Sequence, residues 1–429
     1  VLTSLFPAPR PPRSGTRFSG WRIVAVAAVA LGMTGPGQTV GVSVFIDPMM
    51  ETLALTRSQV STAYLLGTLT GAFALPTAGR ILDARGTRVT MAIIGGVFGV
   101  VLMAMAGVVG LISLTLGFAG IRMFGQGALG LTATTAPAPW FDRRRGFAIG
   151  VTTAVGSAVL SLFPLVAAAV IPAIGWRAAW VVTGLTVWLV VVPLAARAMI
   201  DHPSDVGQQA DGAEPRVDAE EVARAAAAAS FTRGEALRTP MFWAVAGATA
   251  TTGMIGTGLA FHQIDLLGEQ GLTPVQAAAN FLPQTAASLL ATLAVGSMVD
   301  RFAARWVLTT SMLLLMAAMV GVVLVSPGWT AIAYGVTVGA AGASARALEA
   351  ASFPKLYGLA HLGSIRGVVT AISVGSTAFG PLALAIGRDL TGSYELVLRL
   401  LLVFPAAVIV LGLLAPTPSR QRALGVPPA

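Results

Sequence analysis

The chain has no cysteine, three histidines, and charged residues at only 10% of its 429 positions. The missing thiols exclude cysteine nucleophiles, disulfides and cysteine-ligated metal sites. The scarcity of charge excludes an ordinary soluble domain, which carries about 25% charged residues. What fills the space is apolar: 55% hydrophobic residues, with 49 glycines among the remainder. Such a composition belongs to a membrane protein. The formal charge of +9 does not point to nucleic acid, because the arginines stand in short clusters between apolar stretches and form no basic face interleaved with aromatics.

A hydrocarbon core of ~30 Å is crossed by about 20 apolar residues of helix. On that measure the first half holds spans 1 to 6 at residues 22–50, 58–80, 89–111, 113–138, 146–171 and 177–198. The second half holds spans 7 to 12 at 240–267, 274–299, 305–325, 329–353, 365–387 and 394–415. The first apolar run is longer than the ~7–15 residues of a signal-peptide core, so no cleavable leader is expected there. Residues 201–239 break the pattern with Pro203, Gly207, Gly212 and Pro215. They are expected to form a linker, with either a short surface helix around Ala219–Ala229 or a disordered connection. The expected organisation is a tail (1–21), a six-helix bundle (22–200), the linker (201–239), a second bundle (240–416) and a tail (417–429).

The halves repeat one another. Between spans 2 and 3 stands Gly79-Arg80-Ile81-Leu82-Asp83-Ala84-Arg85-Gly86-Thr87-Arg88, and Gly296, Asp300 and Arg305 keep its spacing at a constant shift of 217 positions. The same shift aligns Leu55-Thr56-Arg57-Ser58-Gln59-Val60 with Leu272-Thr273-Pro274-Val275-Gln276-Ala277. Thr56 and Thr273, each followed three residues later by glutamine, have the spacing of a capping box and mark the starts of spans 2 and 8. Lys and Arg crowd one set of connections: before span 1, between spans 2 and 3, between 4 and 5, in the linker, at Arg301 and Arg305, at Lys355 and Arg366, and in the final tail. Since cytoplasmic loops hold the excess, both termini are expected in the cytoplasm.

Twelve spans in two repeated halves, a long linker, and Gly79-x-x-x-Asp83-x-Arg85-Gly86-x-Arg88 resemble the major facilitator superfamily over nearly the whole chain. Three stretches are further similar to its monocarboxylate porter and oxalate–formate exchanger group. They are Trp140-Phe141-x-x-Arg144-Arg145-Gly146-x-Ala148-x-Gly150, Phe231-Thr232-x-x-Glu235-Ala236-Leu237-x-x-x-Met241-Phe242-Trp243, and His361-Leu362-Gly363-Ser364-Ile365-Arg366-Gly367. The resemblance implies an all-α membrane protein of twelve transmembrane helices in two pseudo-symmetric bundles, with solute bound near mid-membrane between them. It implies a small organic anion as substrate. That group carries a substrate-facing arginine in span 8, where this chain has only Gln276, Asn280 and Gln284 as larger polar residues between Val275 and Val299.

Arg122 is the residue left to meet an anion. It lies about 14 Å into span 4 at 1.5 Å per residue, and an arginine at depth costs at least ~2.5 kcal/mol on insertion scales. It is therefore expected to bind a carboxylate as a guanidinium fork, with Gln126 one turn on orienting it, or else to make a structural bridge to a neighbouring helix. In span 1 Gly35-Pro36-Gly37-Gln38 should interrupt the helix and turn Gln38 toward the solute, unless it is an ordinary kink. In span 10, Arg346 and Glu349 at i, i+3 are placed to neutralise each other; failing that, Glu349 is a candidate for proton coupling. His262 and Asp265 of span 7 form a second proton candidate, or lie in the outer headgroup layer. Arg346, Asn280 and Gln284 complete the expected solute contacts. The loop residues Gly79, Asp83, Arg85, Gly86 and Arg88, with Asp300 and Arg301 of the second copy, are expected either to gate one conformation or merely to set topology. Gly146, Gly150 and Gly156 of span 5 and Gly367, Gly375 and Gly380 of span 11 read as a sliding surface between the halves.

The expected function is secondary active transport of a small organic anion across the cytoplasmic membrane by alternating access, coupled to protons through Glu349 or the His262–Asp265 pair. Its partners are a small-molecule substrate and the bilayer, with no nucleic acid, cofactor or metal, and the protein is expected to be a monomer. A drug–proton exporter would share the gate loop, but would carry a deep acidic residue in the first half, where this chain has Arg122. A membrane enzyme or sensor would need a catalytic constellation or an additional soluble domain, and the sequence has neither.

Overall fold

Capping signals in the sequence set where helices begin. Thr56 Oγ1 accepts from Gln59 N at 3.2 Å while Gln59 Oε1 accepts from Thr56 N at 2.9 Å. Thr273 and Gln276 repeat the exchange at 3.3 and 2.9 Å. Both boxes satisfy backbone amides that a helix start otherwise leaves open. The computed structural model describes residues 18–141, 143–210, 230–358 and 361–418, without the side chains at 72–80, 83, 145–146, 293, 296–301, 351, 362–364, 367 and 370. The expected surface helix at Ala219–Ala229 lies outside the described residues.

The helices follow the twelve spans in order. In the first half α1 comprises Gly20–Gly32, Thr39–Val42 and Ile46–Leu53. α2 and α3 share the run Arg57–Ala104, broken at Gly86. α4 is Leu111–Ile121 continued through Arg122–Leu129 and Gly130–Thr135, and α5 and α6 share Arg145–Ala198, broken at Gly175. In the second half α7 is Pro240–Phe261 with Gln263–Gly268, and α8 is Pro274–Ala279 with Phe281–Arg301. α9 is Ala304–Gly321, α10 Trp329–Tyr357, α11 Leu362–Thr391, and α12 Glu395–Leu401 with Val403–Leu414. Among the described residues no strand forms. Among the described residues five helices are by themselves long and apolar enough to cross a membrane, and one of them, Phe147–Ala198, is 52 residues long. At 1.5 Å per residue that is about 78 Å, more than two crossings of a ~30 Å core.

The chain divides into two compact units, Val1–Glu214 and Pro215–Ala429. In lipid no hydrophobic force drives helices together, so close backbone approach and interhelical hydrogen bonds must do so. In the first unit α1 lies on α5: a Cβ on Gly156 would fall 2.7 Å from Leu31 Cδ2. In the second unit α7 lies on α11, and a Cβ on Gly380 would fall 1.8 Å from the carbonyl of Met254. Gly156 and Gly380 therefore belong to fixed packing inside each half and not to a sliding surface. Gly150 and Gly375 meet nothing within 4 Å; the side-chain sites of Gly146 and Gly367 lie outside the described residues.

The loop between α2 and α3 is turned by Gly86 at φ 76°, a conformation costly for any residue with a Cβ. The carboxylate of Asp201, beyond the end of α6, fills the space where a Cβ would stand, with Oδ2 at 2.5 Å from that position. It accepts from Arg88 N at 2.7 Å, so it caps the start of α3. The Arg88 side chain donates through Nε and Nη2 to the carbonyl of Ala196 in α6, at 3.0 and 2.6 Å. Two gate candidates are thus tied to α6 and the residues after it. Arg85 is exposed. Gly79 and the side chains of Asp83, Asp300 and Arg301 lie outside the described residues.

Candidate functional site

Arg122 stands near the middle of α4, where Arg122–Leu129 winds as a π-helix. A π segment inside an α-helix is uncommon and tends to mark functional sites. It is held by the break in α1. Gly35–Gly37 forms a 3₁₀ turn, Gln38 is extended at φ −87°, ψ 156°, and the helix resumes at Thr39. Pro36 lacks the amide a continuous helix would use. Gly37 comes so close to α4 that a Cβ on it would lie 2.5 Å from the Ile121 carbonyl and 3.1 Å from Gly125 Cα.

The guanidinium of Arg122 is buried, at 6% exposure, so it does not face lipid. Nη1 donates to Thr39 Oγ1 at 3.4 Å, and the Tyr64 ring centroid lies 4.9 Å from Cζ. Tyr64 Oη and Thr39 Oγ1 are 2.6 Å apart, linking α2 to α1 beneath the arginine. Nε is buried with no hydrogen-bond partner, and Arg122 makes no ion pair among the described residues. On α2, Ser61 and Thr68 lie on the face of Tyr64, one turn before and one after, and each buries a hydroxyl that lacks a partner. Leaving a buried donor unsatisfied costs about 1–3 kcal/mol, more for a charged one. A planar acceptor with negative charge would supply the partner that the Arg122 guanidinium lacks.

Two expected neighbours stand differently. Gln38 donates through Nε2 to Thr34 Oγ1 at 3.1 Å, back along α1, because the extended residue at the break places Thr39 and not Gln38 against Arg122. Gln126 is exposed while Arg122 is buried, since the i→i+5 bonding of the π segment shifts the face that an α-helix would repeat at i+4. The sequence carried no mark of Thr39, Ser61, Tyr64 or Thr68 beyond their being polar within apolar spans.

In the second unit Asn280 and Gln284 belong to one network of amides. Gln284 Nε2 donates to Asn280 Oδ1 at 3.2 Å and to Gln263 Oε1 at 2.7 Å. Gln263 donates to the Ala277 carbonyl at 2.8 Å, and Asn280 donates to that of Ala331 in α10. Gln263 opens the second segment of α7, directly after its break, and was not anticipated. The network joins α7, α8 and α10.

Arg346 and Glu349 do not neutralise each other. Glu349 is buried and takes its ion pair from Arg366 of α11, Nε to Oε1 at 3.1 Å. Arg346 is exposed and donates to Ser288 Oγ of α8 at 3.1 Å. The two sit three residues apart on α10, but α11 and α8 pack on different sides of it and each takes one charge. His262 is buried among protein atoms, with Nε2 2.8 Å from the carbonyl of Pro381. A carbonyl only accepts, so Nε2 carries the proton. Asp265 lies 3.4 Å from Arg388 and accepts from Tyr394 Oη at 2.8 Å, while Arg388 also meets Glu269 at 3.0 Å.

Comparisons with known proteins fit this architecture. The sequence model described as Major Facilitator Superfamily matches residues 22–381. The oxalate:formate antiporter of Oxalobacter formigenes is 27% identical over 224 residues, 52% of this chain. The chain spans about half the length of that curated relative, 50%. Among solved structures, a bacterial homolog to the human lysosomal transporter Spinster, in inward-facing and occupied conformation, superposes with a TM-score of 0.68 at 16% identity, covering 93% of this chain and 97% of that one. The same homolog in inward-facing and unoccupied conformation gives 0.66 at 17% identity, covering 93% and 96%. These structures share the fold. The chain belongs to the Major Facilitator Superfamily and is a multi-pass membrane transporter, not an enzyme.

Proposed function

We propose that the protein transports a small organic anion of the carboxylate class, oxalate or formate among them, by alternating access across the cytoplasmic membrane. The observation that carries this reading is the buried guanidinium of Arg122, unpaired among the described residues and with an unpartnered Nε. A cation so placed at a cost of at least ~2.5 kcal/mol is kept for an anion that supplies the missing acceptors. The linked hydroxyls of Thr39 and Tyr64 lie beside it, and the sequence likeness to an oxalate:formate antiporter supports the same substrate class. Arg346, Asn280, Gln284, Gln126 and Gln38 remain candidates for further solute contacts. The loop at Gly86 and Arg88, clasped on Asp201, is the gate.

The test is uptake of radiolabelled oxalate and formate into proteoliposomes. Arg122→Ala is expected to lower kcat/KM by about 100-fold, equivalent to about 3 kcal/mol for a buried charged hydrogen-bonding pair. Arg122→Lys should recover only part of it, because an ammonium lacks the planar fork. If neither carboxylate enters, or Arg122→Ala transports as well as wild type, the anion reading fails.

Proton coupling is assigned to Glu349 or to His262 with Asp265. A second reading, exchange of one anion for another, is favoured by the ion pair of Glu349 with Arg366, which balances that carboxylate without a proton. An uncoupler separates the two: it abolishes accumulation under proton coupling and leaves anion exchange untouched.

A further inference from the structure

In the second unit, four helix ends meet around a cavity of about 110 Å³, well above the ~10–15 Å³ that admits one water. Met241 comes from the start of α7, Arg305 from the start of α9, Ser352 and Lys355 from the end of α10, and Thr417 from the segment after α12; Phe302 closes the rim. None of these residues belongs to the site around Arg122.

Three features of the cavity point to one kind of ligand. Ser352 is 1% exposed and its hydroxyl has no hydrogen-bond partner, although it lies among residues that line the space. α9 is an 18-residue helix whose N-cap is Ala303, with no side chain to cap its first amides, and Ala303, Ala304 and Arg305 all line the cavity. Free amides at a helix start, with the positive end of its dipole, favour an oxyanion. Arg305 is exposed and makes no ion pair among the described residues, and Lys355 stands one turn on from Ser352 on the same face of α10.

The walls identify the rest of the ligand. Met241, Phe302 and Leu356 make most of the surface apolar. Phe302 and Trp306 are 54% and 56% exposed at the same helix end, where aromatic rings sit at headgroup level. A free phosphate would find basic groups but no use for the apolar walls. We propose that this cavity holds the phosphate of an acidic phospholipid headgroup, bound by Arg305, Lys355 and the Ser352 hydroxyl over the start of α9. The lipid's glycerol and acyl carbons run along Phe302 and Trp306.

Native mass spectrometry of the full chain in mild detergent, titrated separately with phosphatidylglycerol, phosphatidylcholine and inorganic phosphate, tests this. One phosphatidylglycerol is expected to bind about tenfold more tightly than phosphatidylcholine. Arg305→Gln with Lys355→Gln should weaken it about 30-fold, at roughly fivefold per basic residue. Ser352→Ala, which removes one hydrogen bond at a buried position, should weaken it about fivefold. Arg143→Gln with Arg144→Gln removes the same charge from exposed positions of the first unit and should change nothing. Equal binding of the two lipids overturns the proposal, as does unchanged binding by the Arg305/Lys355 variant or an equal loss in the Arg143/Arg144 variant. If inorganic phosphate displaces phosphatidylglycerol at comparable concentration, the site takes a free oxyanion and the lipid assignment falls.

Discussion

Arg122 and Glu349 are both buried charges in mid-chain helices, yet their surroundings differ in kind. Glu349 has an arginine 3.1 Å away, whereas Arg122 has a hydroxyl, a ring face and one nitrogen without a partner. The first arrangement is complete and the second is not, which is why ligand binding is assigned to Arg122. The partner of Glu349 also has a measurable consequence. Arg366→Gln leaves a buried carboxylate uncompensated and should cost about 1–2 kcal/mol, below the 3–5 of a fully buried pair because Arg366 is partly exposed. Arg346→Gln, which loses only its bond to Ser288, should cost under about 1 kcal/mol. Thermal unfolding in one detergent orders the two variants, and the reverse order would mean that Arg346 is the partner after all. The charge of these residues and the helices that carry them were legible in the sequence. Their partners were not, because i, i+3 spacing says only that two side chains share a face and not which helix lies against it.

At the scale of the element, the break in α1 and the π segment of α4 are one feature. Gly35-Pro36-Gly37 announces the break, since proline and glycine act locally on the backbone. Nothing in Arg122–Leu129 announces the π turn, which depends on the neighbour pressed against it. The contact at Gly37 should therefore be intolerant. Gly37→Ala is expected to destabilise by about 2 kcal/mol or more, because the added carbon meets backbone atoms of α4 that cannot rotate away. Gly150→Ala, with nothing within 4 Å, should be neutral or gain up to about 1 kcal/mol in helix propensity. A glycine count in the sequence treats the two alike; a paired melting experiment should not.

At the scale of the whole molecule, the absence of cysteine makes orientation directly measurable. Single cysteines at Ser204, between α6 and the second unit, and at Thr391, the last residue of α11, are both at exposed positions. With both termini cytoplasmic, an impermeant maleimide added outside intact cells should label Thr391→Cys and spare Ser204→Cys until the membrane is opened. The opposite pattern would invert the topology drawn from the arginine clusters.

The sequence by itself determined the class, the number and order of the helices, the repeat of the halves and which helices carry the charged residues. Those are periodic or local quantities, set by hydropathy along 1.5 Å steps and by capping chemistry within four residues. Only the tertiary structure decided the partners: Thr39 for Arg122 across 83 positions, Asp201 for Arg88 across 113, and Arg366 in place of Arg346 for Glu349. The physical reason is that a partner is chosen by how each helix is rotated and how closely it packs, and in lipid both follow from contacts between segments far apart in the chain.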